Sequence, residues 1–303
     1  MGKIPSPFVS VIVPVYNDPA RLKTCLQALE EQTYPKDGYE VIVVDNGSDE
    51  SIEPVVAHFP QAKAAYEAHP GSYAARNTGI AGAKGDVLAF TDSDCIPASN
   101  WIESGVAVLL RVPNCGIIGG QLVPSFEKPE HPTAIELYEV IMYYCQERFV
   151  NGVKFSVTAN LFTFKHIFEH VGNFKSTLKS GGDREWGQRV APFGYQFMCA
   201  GEVVEITGVI IGAFAFFDRK RHETSVFPGK TVPLNPYSAA RLVFRDTLDL
   251  FERGFRTFLA LRTNETGMVQ GSQPECPKNQ QFPEYSELCR KSGPPAISLS
   301  ERW

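Results

Sequence analysis

The chain predicts an α/β fold with a mostly parallel central sheet and helices on both faces. Three observations carry this. Phe8–Val15, Glu40–Val44 and Val87–Thr91 are near-continuous apolar runs rich in β-branched residues, the pattern of strands buried on both faces. Between them lie stretches with apolar residues at helical spacing. Polar residues gather just past three strand ends: Tyr16-Asn17, Asp45-Asn46 and Asp92-Asp94. In open α/β sheets that edge is where ligands bind.

The elements follow in order. After the first strand, Tyr16-Asn17 make a turn, Asp18 caps a helix and Pro19 suits its first position. Leu22, Leu26 and Leu29 extend that helix to about Gln32. With the strand Glu40–Val44 this completes a right-handed βαβ unit. Asp49 is placed to cap a short helix reaching Phe59, and Ala64–Glu67 to form a third strand. Ser72 is placed to cap a helix from Tyr73 to about Ala83, stopped by Gly85. The strand Val87–Thr91 ends at Asp92, with a turn beginning at Pro97. Further on we expect a strand over Gly116–Val123, a loop over Pro124–Pro132, a helix over Thr133–Cys145 and a strand over Ser156–Phe164. A short helix Lys165–His170 stops at Gly172, and Lys179–Gly182 is a loop. A helix from Asp183 to about Ala191 carries acidic residues in its first turn, where the helix dipole favours them. Tyr195–Cys199 and Val203–Ile206 read as edge elements, and Tyr237–Phe258 as helical. From Thr263 the composition is that of a poorly ordered tail.

Bulk properties narrow the function. The net charge of −5 argues against nucleic acid as a partner. Seven scattered cysteines (Cys25, Cys95, Cys115, Cys145, Cys199, Cys276, Cys289) include no Cys-x-x-Cys pair, which favours a reducing, cytoplasmic setting. The N-terminus carries no apolar core of a signal peptide. The longest apolar run, Ile206–Phe217, is shorter than the ~20 residues of a membrane-spanning helix and reads as a buried element. Peripheral attachment at the inner face of the membrane is a secondary expectation. No Gly-x-Gly-x-x-Gly follows the first strand and no phosphate-binding Gly-x-x-x-x-Gly-Lys-Ser/Thr occurs, which removes the usual dinucleotide and P-loop readings.

The chemistry-bearing stretch is Phe90-Thr91-Asp92-Ser93-Asp94. Two carboxylates this close repel unless a proton or cation relieves them. Hard divalent ions use one or two carboxylates together with substrate phosphates. Asp92 and Asp94 are therefore candidates to hold a metal–diphosphate.

Five blocks in order resemble family 2 glycosyltransferases, the inverting type with a GT-A fold. They are Val9–Asn17, Val43–Ser48, Ala74–Gly79, Phe90–Asp94 and Gly181–Arg189. The resemblance covers roughly residues 8 to 200. It implies a GT-A domain over 1–220, with a nucleotide-binding part at about 8–125 and an acceptor part at about 126–220. Residues 221–303 would be a helical extension and tail. It further implies that Pro14 and Tyr16 line the base and ribose pocket and that Asp45 accepts a hydrogen bond from the base. Arg76 would pair a carboxylate or approach the phosphates. Asp92 would face the ribose or metal, Asp94 would be the direct ligand of Mg²⁺ or Mn²⁺, and Asp183 would be the catalytic base. Glu185 is the competing base, since Gly182 stands where the family usually has the first acid of a Glu-Asp pair. Trp186 could stack on a sugar or pack in the core. His222, in the basic block Asp218–His222, could serve the diphosphate or lie in a solvated turn.

The implied partners are a nucleotide-sugar donor, a UDP-sugar by default, and a glycan, lipid-linked or small-molecule acceptor. Two competing functions remain. A nucleotidyltransferase also uses acidic strand ends, but wants a glycine-rich basic loop where Val15-Tyr16-Asn17-Asp18 stands. A non-catalytic sugar-nucleotide or glycan binder would keep the donor pocket and dispense with Asp183.

Overall fold

The computed structural model describes residues 6–126 and 146–210. The expected helices Thr133–Cys145 and Tyr237–Phe258, the tail and the block around His222 lie outside them.

Seven residues of unbroken apolar or pleat-compatible sequence form β1 (Val9–Val15), every one buried. Asp18 caps α1 (Pro19–Glu30), its carboxylate accepting the Arg21 N–H at 3.2 Å, with proline in the first turn. There follow β2 (Tyr39–Asp45), a single helical turn α2 (Glu53–Val56), β3 (Ala62–Tyr66), α3 (Ser72–Gly82) and β4 (Val87–Phe90). Then come β5 (Ile96–Pro97), α4 (Trp101–Arg111), β6 (Cys115–Phe126), β7 (Leu161–Phe164), α5 (Lys165–Val171), α6 (Gly182–Val190) and β8 (Gln196–Ile210).

These strands make one eight-stranded sheet in the order β3-β2-β1-β4-β7-β6-β8-β5. The half from β3 to β4 is wholly parallel. The other half is mixed: β7 runs antiparallel to both β4 and β6, β8 is parallel to β6, and β5 is antiparallel to β8. Two apolar layers sandwich the sheet. Val9, Val11 and Val13 of β1 face Leu22 and Leu26 of α1 and Trp101 of α4. Ile12, Ile42 and Phe90 face Ile80 of α3, Phe168 of α5 and Trp186 of α6. Burial on both faces is why the strands lack polar–apolar alternation.

Several local expectations are corrected. Asp49 does not cap α2, which begins after Ile52; its carboxylate instead accepts the Asn17 side-chain amide at 2.9 Å. Ser72 is the first residue of α3, and Gly71 occupies the cap position at φ +129°, a conformation glycine alone adopts freely. The expected strand Ser156–Phe164 is half its length, because residues Thr158–Asn160 form a 3₁₀ turn. The expected loop at Pro124 is strand up to Phe126; the missing proline N–H appears as a register shift between Val123 and Ser125. The two edge elements near 195–206 are a single long strand, β8. The helix α4 and the short strand β5 were not anticipated.

Candidate active site

The C-terminal ends of β1, β2 and β4 share one edge of the sheet, and the loops beyond them are stitched together. Asn17, at φ +50°, donates its backbone N–H to Ser48 Oγ at 2.9 Å and accepts the Asp49 N–H at 2.7 Å. Asn46 donates to the Glu67 and His69 carbonyls (3.1 and 2.7 Å) and accepts the Gly71 N–H at 2.7 Å. Tyr16 stands in solvent, 62% exposed. Asp45 is buried, and its Oδ1 accepts the Ser48 N–H at 2.9 Å while Oδ2 takes no hydrogen bond from the described residues. Asp45, Ser48, Ser51, Ile52 and Tyr66 line an open pocket at this edge. Pro14 lies buried within β1 opposite Val44, two residues short of exposed Tyr16.

Arg76 rises from α3 beneath the end of β4. It is 4% exposed, ion-paired with Asp92, and sits 5.6 Å from the Tyr73 ring centre. Its Nε is buried without a partner. Of the two roles open to Arg76 in the sequence, the structure shows the carboxylate pair. Asp94 is half-exposed; Arg21 Nη1 lies 3.5 Å from its Oδ2, and the Cys95 thiol donates weakly to its Oδ1 at 3.8 Å. Partial burial, then the neighbouring Asp92 charge, push its carboxyl above the usual range.

The N-terminus of α6 closes the constellation. Asp183 is half-buried there; its Oδ1 accepts the Tyr73 hydroxyl at 3.2 Å and the Arg184 N–H at 2.8 Å. Burial raises its carboxyl, opposed by that N–H, the Arg76 charge and the tyrosine. Glu185 is placed differently. Its Oε1 is held by Lys175 Nζ (2.7 Å) and Arg189 Nε (2.9 Å), which ties it into an ion-pair network. Trp186 is fully buried, stacked on Phe168 at 4.2 Å and bonded to the Gly172 carbonyl, so it belongs to the core.

The family model for glycosyl transferase family 2 matches residues 10–172, more than half of the chain. The chain belongs to glycosyltransferase family 2. The match spans Tyr16, Asp45, Arg76, Asp92 and Asp94, and stops short of Asp183.

Among relatives of this glycosyltransferase chain, glycosyltransferase AglE of Haloferax volcanii is 39% identical over 203 residues, covering 65% of this chain and 66% of AglE. The pre-mycofactocin glycosyltransferase of Mycobacterium tuberculosis is 31% identical over 183 residues, 58% of this chain and 37% of that protein. The chain thus spans about two thirds of the one and well under half of the other. Among solved structures, the mannosyltransferase PcManGT from Pyrobaculum calidifontis, in complex with GDP-Man and Mn²⁺, superposes with a TM-score of 0.57 at 23% identity, covering 78% of this chain and 69% of that one. S. aureus TarS 1-349 in complex with UDP-GlcNAc gives 0.52 at 18% identity, covering 68% and 59%. The fold is the GT-A type.

Two residues packed against these candidate groups carry no motif in the sequence. Glu205 of β8 is fully buried behind the Asp92–Asp94 turn; Thr91 donates its hydroxyl to Oε1 at 2.6 Å, and Oε2 has no partner. Burial pushes this acid well above the carboxylate range. A lone glutamate in an apolar run was the available signal. In the sequence Tyr73 marks only the start of a helix, and its adjacency to Ala74-Ala75-Arg76 is the signal it offers.

Proposed function

We propose that the chain transfers a sugar from a nucleoside-diphosphate sugar to an acceptor hydroxyl with inversion, using Asp183 as general base. One observation carries this reading: buried Arg76 of α3 pairs with Asp92 at the end of β4 and extends its charge to Asp183 at the start of α6, to which Tyr73 of the same helix donates. Donor-side and acceptor-side groups thereby meet at one sheet edge.

Asp45 Oδ2 is available to accept an N–H from a base in the pocket beside Tyr66, and exposed Tyr16 flanks the same edge. The donor set at Asp92 and Asp94 fits Mg²⁺ or Mn²⁺. Asp92 raises the Asp94 carboxyl and Arg21 opposes it only in part, and no third carboxylate, histidine or cysteine completes a protein cage among the described residues. That leaves coordination positions for diphosphate oxygens and water. When bound, the cation supplies Lewis-acid neutralisation of the departing diphosphate. Asp94 would be its direct ligand, while Asp92, which pairs with Arg76, would face the ribose or the metal. Asp183 then takes the acceptor proton as the hydroxyl oxygen bonds to the anomeric carbon from the face opposite the leaving group. One positioned carboxylate suffices for that proton transfer and contributes about 10²–10⁴-fold. The solved neighbours hold GDP-Man or UDP-GlcNAc, so uracil and guanine nucleotides are the first donors to test. The acceptor is a glycan, a lipid-linked sugar or a small molecule, reached from the cytoplasm, with peripheral association at the inner membrane face. Among the described residues no helix is long and apolar enough to cross a membrane.

The test is a thermal-shift panel of UDP-, GDP- and dTDP-sugars with and without Mn²⁺. The true donor raises the apparent stability by about 2.7 kcal/mol at a hundredfold excess over its dissociation constant. Asp94→Ala is expected to remove the Mn²⁺-dependent part. Asp183→Asn is expected to keep the shift while losing about 10²-fold or more in turnover. Full turnover by Asp94→Ala in EDTA would sink the metal-dependent mechanism.

A further inference from the structure

We propose that Tyr73 is a positioning residue for Asp183, holding one carboxylate oxygen so that the other is presented to the acceptor. The proposal rests on Asp183 being the base.

The geometry is specific. Tyr73 sits in the first turn of α3, with its ring 6% exposed and packed 5.6 Å from the Phe174 ring. Its hydroxyl emerges at the start of α6 and donates to Asp183 Oδ1 at 3.2 Å. The Arg184 N–H donates to the same oxygen at 2.8 Å. Oδ1 is therefore occupied twice, and Oδ2 takes no hydrogen bond from the described residues. A carboxylate anchored at one oxygen and free at the other cannot spin away from an incoming hydroxyl, and it keeps its more basic lone pairs for the proton.

The ring also explains Gly182. A Cβ at that position would lie 2.7–2.8 Å from three carbons of the Tyr73 ring. Any larger residue at 182 would displace the tyrosine, so the glycine and the aromatic ring form one fitted unit immediately before the base. Tyr73 further carries Arg76 against its ring, which in turn pairs Asp92. One helix, α3, thus sets the carboxylates on both sides of the site. The charged and titratable groups acting on Asp183 are Tyr73 and Arg76, both from α3; Arg184 on α6 acts through its backbone N–H alone. Donation by Tyr73 favours the ionised carboxylate, in the same direction as the Arg76 charge.

The experiment is carboxyl ¹³C NMR titration of the full chain labelled at aspartate, with the Asp183 signal assigned as the one absent in Asp183→Asn. Tyr73→Phe removes one hydrogen-bond donor to the carboxylate and is expected to raise the Asp183 midpoint by ~0.5–1 pH unit. Gly182→Ala, which pushes the ring aside, is expected to move it the same way and serves if Tyr73→Phe fails to fold. An unchanged midpoint in the folded variant overturns the proposal. Turnover of UDP-GlcNAc or GDP-mannose by Asp183→Asn separates the two ideas. Full turnover there removes the base assignment whatever Tyr73 does, while a dead Asp183→Asn beside an unmoved midpoint removes only the role of Tyr73.

Discussion

Arg76 is a buried cation at the site. A guanidinium 4% exposed, with one unpaired nitrogen, is held by a single carboxylate, Asp92, which is itself 37% exposed. Removing the partner of a buried charge costs more than removing the charge, because an uncompensated ion remains. Asp92→Asn is therefore expected to cost ~1–3 kcal/mol, below the value for fully buried pairs because Asp92 reaches solvent. Arg76→Met should cost less. Urea midpoints of the two variants check the ranking; a larger loss for Arg76→Met would show that the arginine acts through its packing on Tyr73 instead. The arginine was legible in the sequence as part of Ala-Arg-Asn, but its burial was not, since nothing local distinguishes a surface cation on a helix from one under a strand end.

At the level of elements, α4 and the β6–β8 pairing show what short-range pattern conceals. Trp101–Arg111 has apolar residues at helical spacing, but Gly105 interrupts it with a poor helix former. The glycine is there because a Cβ would lie 2.5 Å from the Phe162 ring, a neighbour on β7 distant in sequence. The same region turns on Asn160, which is fully buried. Its Oδ1 accepts the Trp101 indole N–H at 3.0 Å, and its Nδ2 donates to the Gln121 and Val203 carbonyls, both at 3.0 Å. One side chain thus pins α4, β6 and β8. Asn160→Ala leaves those three groups buried and unpaired, and is expected to cost about 2–4 kcal/mol. Chemical denaturation measures it, and hydrogen exchange should show the loss concentrated at β6 and β8.

For the molecule as a whole, two sets of carboxylates act in opposite senses with pH. Glu67, bonded by the Thr78 hydroxyl and by His69, is lowered to about 2. Burial alone would raise Glu40, but Lys63, the Lys84 N–H and Ser10 outweigh it and hold it low. Groups lowered on folding contribute stability that is present above the unfolded value of about 4.3 and is lost as pH falls through the folded one. Glu205, Asp94 and Asp183 are raised, each chiefly by burial. Their folded forms hold protons more tightly than the unfolded chain, so stability is lost as pH rises through their folded values. The expected melting temperature therefore peaks on the acid side of neutral. Glu205→Gln, which keeps an acceptor for Thr91, should flatten the decline toward higher pH. Melts between pH 4 and 8 test this, and a melting temperature rising steadily to pH 8 would contradict it. These three raised carboxylates lie at or directly behind the candidate site.

By itself the sequence determined the α/β class, the first four parallel strands and the family, because each rests on local information. Burial on both faces writes continuous apolar runs, and the polar groups at strand ends sit at short, ordered spacing. Only the tertiary structure decided how those ends combine. It brought Asp183 to Tyr73, 110 residues away, and Glu205 to Thr91, 114 residues away. It also committed Glu185 to Lys175 and Arg189 and sent Trp186 into the core. The reason is physical. The mixed half of the sheet is built from antiparallel and crossover pairings between distant segments, and those contacts leave no periodic trace in either partner. The Thr91-Asp92-Ser93-Asp94 turn could be read from the chain, whereas the groups that surround it depended on the fold.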